Sequence, residues 1–130
     1  MLVFEQKMAT NLIQTKTFAF SLLIVSVFKI LQENREYILS KQLLRCATSV
    51  GAMVMEADHA ESRADFKHKM SIAQKEINES IYWLKLLEAA NYLSAEQLFL
   101  PLKEANDILY IITRILITVK QEMEKLILIV

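Results

Sequence analysis

The chain has 130 residues, with 15 basic and 15 acidic side chains, one glycine, one proline and one cysteine. That length suits a single domain, and two breakers are too few for a fold built on tight hairpin turns. The balanced charge excludes a protein drawn to nucleic acid by its overall field, and the lone Cys46 excludes an intrachain disulfide or a cysteine-based metal site.

Residues 1–14 read as an N-terminal lead-in and residues 15–130 as an all-α, antiparallel up-down-up-down four-helix bundle. Thr15 or Thr17 caps a first helix that runs to about Asn34. Its apolar positions, among them Phe18, Phe20, Leu22, Val25 and Val27, are wider than one stripe, as in a helix with more than one neighbour. The twelve residues between Lys16 and Lys29 are too few to span ~30 Å of hydrocarbon. Glu5 sits where a signal peptide would be basic, and no small-x-small cleavage site follows Phe28. A cytoplasmic protein with no membrane partner is expected.

Ser40 is the expected N-cap of a second helix, which carries Leu43, Leu44, Ala47, Val50, Gly51 and Val54 at spacings of three and four and ends near Ala60. Ser62 caps the third, with Asp65 in its first turn. Phe66, Met70, Ala73, Ile77, Ile81, Leu84 and Leu87 form its apolar stripe, and Asn91 ends it. Ser94 and Gln97 form a capping box for the fourth, which runs to about Ile127 with a kink or a restart at Pro101.

A short turn joins helices two and three, so facing residue numbers sum to about 124. That register places Gly51 against Ala73 in a close helix crossing, and Thr48 near Glu76. It also predicts a polar seam of Arg45, Glu56, Lys69, Glu76 and Glu79.

The run Lys41-Gln-Leu-Leu-Arg45-Cys-Ala-Thr-Ser49-Val-Gly-Ala52 resembles the 23S rRNA intervening-sequence protein family. So do Glu56-Ala57, Asp65-Phe66, Lys69-Met-Ser-Ile-Ala73, Lys75-Glu76 and Tyr82-Trp83-Leu84. The resemblance implies a four-helix bundle assembled as a ring-like homopentamer, with a role in binding RNA or DNA. Related proteins are accessory factors beside the reverse transcriptase of diversity-generating retroelements, so a reverse transcriptase is an implied partner. The chain departs from the family pattern at Cys46-Ala47, at Met53 and in its neutral charge.

Arg35, Lys41, Arg45, Arg63, Lys67 and Lys75 lie in a middle third of net charge +2, against −3 for residues 76–130. These six are the candidate nucleic-acid contacts, and a ring would multiply them on one face. Tyr82 and Trp83 could stack on bases, but core or interface packing is the expectation. Glu56-Ala-Asp-His59 has the Glu-x-x-His spacing of di-iron bundles, and Asp65-Phe-Lys-His68 is a weak second copy. Both histidines fall at the turn between helices two and three, so they read as surface residues. No metal, cofactor or catalytic residue is expected. An RNA-binding oligomer is the leading reading, and a protein-interaction scaffold without nucleic acid is the alternative.

Overall fold

The computed structural model describes residues 3–129. Four helices follow in order: α1 (Val3–Glu33), α2 (Leu39–Asp58), α3 (Arg63–Ala89) and α4 (Ala95–Ile129). Each packs on its neighbours in the chain, and α1 closes the square against α4. The α2–α3 interface is the richest and the α1–α4 interface the thinnest.

One spacing rule builds the core. Buried positions on α1 fall at Thr10, Ile13, Thr17, Phe20, Ile24, Val27 and Leu31, alternating steps of three and four. On α2 the series is Ser40, Leu43, Ala47, Val50, Val54 and Ala57. On α3 it is Phe66, Met70, Ala73, Ile77, Ser80, Leu84 and Leu87. On α4 it is Leu98, Pro101, Ala105, Ile108, Ile112, Ile115 and Val119. Such a seam keeps one stripe facing its partners along the whole helix, which yields a bundle of nearly parallel axes.

Several helix ends differ from the sequence reading. α1 begins at Val3, so residues 3–14 are its first turns and not a separate lead-in. No breaker interrupts that stretch, and the seam continues back through the buried Ile13 and Thr10. Thr15 and Thr17 are therefore not caps. Their hydroxyls donate to the carbonyls of Asn11 at 3.1 Å and Ile13 at 2.8 Å, one turn back.

Ser40 does not cap α2 either. The carboxylate of Glu36 accepts from the backbone N–H groups of Ile38 (3.2 Å), Leu39 (2.9 Å) and Ser40 (2.6 Å). Glu36 reaches them because α1 ends in a Schellman turn. Arg35 takes φ 62°, Glu36 N donates to Leu31 O, and Arg35 N donates to Gln32 O. α3 ends the same way, with Asn91 at φ 67° and Tyr92 N donating to Leu87 O.

The two expected caps downstream are present. Ser62 accepts from Asp65 N at 3.0 Å. Ser94 and Gln97 bond reciprocally at 3.0 and 3.1 Å. Pro101 does not restart α4, which is one helix of 35 residues. The carbonyl it leaves without a donor is that of Gln97, an exposed residue that water can serve.

Lengths decide what overhangs. At 1.5 Å per residue α4 is about 52 Å long and α2 about 30 Å. Arg63, the first residue of α3, meets Glu122 at 2.7 Å. The end of α4 therefore runs past the bundle, and Leu126, Ile127, Leu128 and Ile129 are 59–85% exposed. With Lys16 and Lys29 included, the stretch Lys7–Glu33 of α1 is long and apolar enough to cross a membrane, by length and composition alone. Here Lys16 is paired with Glu104 and the seam of α1 faces the other helices.

Candidate interaction surfaces

The α2–α3 interface carries a chain of polar side chains. Arg45 Nη1 lies 3.3 Å from Glu76 Oε2, and its Nη2 donates to Glu79 Oε2. That same Glu79 oxygen accepts from Trp83 Nε1 at 2.9 Å. One turn before the α2–α3 connection, Lys69 and Glu56 pair at 3.5 Å. Glu76 is nearly buried, so the half-exposed Arg45 is its link to solvent and to opposite charge.

Beneath Arg45 lies Cys46. Ser80 Oγ donates to Glu76 O at 2.9 Å and reaches Cys46 Sγ at 3.3 Å. Burial pushes the thiol up to about 11, with the Ser80 contact only partly offsetting it. At neutral pH the group is a protonated, packed thiol and no nucleophile. Glu36 is the opposite case. Burial pushes its pKa up, but the backbone N–H groups of Leu39, Ser40 and Ile38 together hold it below the usual 4.5.

The close crossing expected at Gly51 belongs to a different pair of helices. A Cβ on Gly51 would meet Thr17 of α1 at 3.5–3.6 Å, and not Ala73. Ala73 is fully buried in the seam of α3. Thr48 also turns away from Glu76. Its hydroxyl donates to Leu44 O at 2.7 Å, and its side chain lines a groove of about 320 Å³ between α1 and α2. Gln14, Phe18, Gly51, Ala52 and Met55 share that groove. Register arithmetic finds level, not azimuth. Gly51 is at the height of Ala73 but one step round the helix, toward α1.

The six candidate cations divide among separate places. Arg35 and Lys41 flank the α1–α2 turn, with exposed Tyr37 between them, and neither makes an ion pair among the described residues. Arg63 and Lys67 lie at the opposite end, about 30 Å away along α2. Arg63 is held by Glu122 and stacks 4.9 Å over the Phe66 ring. Arg45 is taken by the seam, and Lys75 is exposed midway along α3. In one chain they form no single patch.

His59 and His68 are both exposed, and among the described residues no three His, Cys, Asp or Glu side chains gather to hold a metal. Trp83 is half-buried against the core while Tyr82 is 59% exposed. The rings meet edge to face at 5.1 Å. Sequence reasoning missed the Lys16–Glu104 link at 3.1 Å across α1–α4. The outer apolar face of α1, where Met8, Leu12, Phe18 and Leu22 are 51–67% exposed, was legible in the sequence at Phe18 and Leu22. The excess width of that helix's apolar pattern was its signal.

These features define an antiparallel four-helix bundle with a charged inner seam and an uncovered apolar outer face. The chain belongs to the 23S rRNA-intervening sequence protein family, whose model matches residues 10–114. It is similar to a solved protein of unknown function from the S23 ribosomal protein family of Bacteroides thetaiotaomicron. That protein is 39% identical, with a TM-score of 0.81, and the match covers 83% of this chain and 97% of that one. Among curated proteins none matches.

Proposed function

We propose that the protein is a non-enzymatic, self-assembling bundle of the cytoplasm whose assembled surface binds structured RNA. The observation that carries the reading is the contrast between committed and free cations. Arg45, Arg63 and Lys69 are taken by carboxylates. Arg35 and Lys41 remain available beside exposed Tyr37 at one end of the bundle, a pairing of charge and ring that suits phosphate and an unstacked base. A ring of copies multiplies that end, and five copies is the number the family resemblance implies. An accessory role beside a reverse transcriptase is the case in which the nucleic acid arrives on a protein partner.

Self-assembly is supported by the outer face of α1. Leaving it in water forfeits roughly 25 cal/mol for each Å² that a neighbour would cover. Multi-angle light scattering at micromolar concentration tests this part, and a mass of 15.0 kDa overturns it. Binding to structured RNA across a salt series tests the other. Arg35→Ala with Lys41→Ala should weaken binding and flatten the slope of log K against log salt by roughly one or two. Salt-independent binding, or none, leaves a protein-interaction scaffold. That second reading is favoured by the zero net charge and the apolar face.

A further inference from the structure

The end of α4 and the groove between α1 and α2 lack complementary things. The core seam of α4 steps by three and four through Ile112, Ile115 and Val119. The same steps continue through Glu122 to Leu126 and Ile129, which no element of the chain covers. Ile127 and Leu128 are exposed as well, so the tip is apolar all round.

The groove offers the converse. It is uncharged, its wall is Phe18 and Met55, and at Gly51 it has no side chain in the way. Phe18 and Met55 are 67% and 55% exposed. Gln14 lines it, and its Nε2 is a buried amide donor with no acceptor. A buried donor without a partner is uncommon and unfavourable. At about 320 Å³ the space is at the small end of ligand-sized cavities, suited to a few side chains at a helix tip.

We infer that the α4 tip of one copy seats in the α1–α2 groove of the next, with Leu126–Ile129 against Phe18 and Met55 and the Gln14 amide turned to donate to a backbone carbonyl of that tip. The inference rests on the self-assembly proposed above and names the contact that produces it. A chain cannot fill its own groove, because its tip projects beyond the end of the bundle and, among the described residues, α4 makes no contact with α2. The contact is therefore head-to-tail. Two different surfaces meet, and repetition closes into a ring or extends as a chain.

Two single-cysteine additions test it. Chains carrying Ala52→Cys and chains carrying Ile127→Cys are mixed, oxidised with copper phenanthroline, and compared with each alone. The buried Cys46 leaves the unmodified chain as a silent control. The expected product is a disulfide dimer at twice 15.0 kDa that forms in the mixture and in neither variant alone. Cross-linking of Ile127→Cys to itself means that tips pair with tips and overturns the inference. A chain ending at Lys125 keeps every core residue, so its helix content and melting should be unchanged. Its association constant should fall by roughly tenfold or more, since burying even one or two apolar side chains is worth that much.

If that truncated chain assembles as the full chain does, the tip contact is wrong and self-assembly stands. If the full chain is itself a monomer, both fall. Sedimentation of the full chain, but not the truncated one, with phosphatidylcholine vesicles would assign the tip to lipid and also overturn the inference.

Discussion

The α2–α3 side and the α1–α4 side of the bundle follow the same spacing of core positions but are bound differently. Between α2 and α3 the apolar seam is lined by a charged one, Arg45 with Glu76 and Glu79, then Lys69 with Glu56. Between α1 and α4 one ion pair among the described residues, Lys16–Glu104, supports the thinnest contact in the fold. Apolar side chains there also extend to the outside. A charged seam selects one register and one partner helix, since a slip leaves charges opposed or unpaired. An apolar surplus selects burial without saying by what. The first side reads as a finished interface within the chain, and the second as a surface that assembly would complete.

The sharpest contrast lies between inner and outer positions. Ile77→Ala, at a fully buried position of α3, should lower unfolding free energy by about 2–5 kcal/mol in urea titration. Leu22→Ala, on the outer face of α1, should move the same measurement far less and act on the mass in solution. Equal losses would mean that the outer face is structural within one chain.

The Glu36 cap comes next. Glu36→Ala should cost about 1–2 kcal/mol, the range of a good N-cap. The folded pKa is held below 4.5, so the carboxylate's stabilisation is complete above that value. It is lost as pH falls through the folded pKa. Melting temperatures measured from pH 7 downward should therefore converge for the two proteins in acid. A constant gap would show that the charge on Glu36 is not what caps α2.

Arg45→Ala probes the charged seam itself. Half-exposed pairs are screened, so the loss should be about 1 kcal/mol or less and should shrink in high salt. Trp83 fluorescence is a local readout, because its indole N–H bonds the carboxylate that Arg45 holds.

Gly51→Ala should go the other way. The added Cβ meets Thr17 at an ordinary 3.5–3.6 Å, and a helical alanine is better than glycine by about 0.8–1 kcal/mol. A raised melting temperature confirms it. Gly51→Leu should fill the α1–α2 groove and reduce assembly. The smallest effect belongs to Cys46, whose thiol should stay unlabelled by a maleimide at pH 7 until the protein unfolds.

Much of this was legible in the residues. Ser62 and the Ser94–Gln97 box lie at true helix starts, and Asn91 at a true helix end. The register of α2 on α3 follows from the length of one turn, which is why the sequence alone pairs Arg45 with Glu79. The candidate nucleic-acid residues were less legible. Arg35, Lys41, Arg63 and Lys67 are close in sequence and stand at two ends of the bundle, because α2 carries the chain about 30 Å between them.

The sequence by itself determined four helices, their inward faces and their antiparallel order. Those follow from spacing and turn length, which are local. Only the tertiary structure decided that Gly51 faces Thr17, that Glu36 caps α2, that α1 begins at Val3 and that the tip of α4 stands clear of the bundle. Periodicity says which side of a helix points inward, but not which of two flanking neighbours a given position touches. How far a helix overhangs depends on the lengths and stagger of all four, and no single segment carries that information.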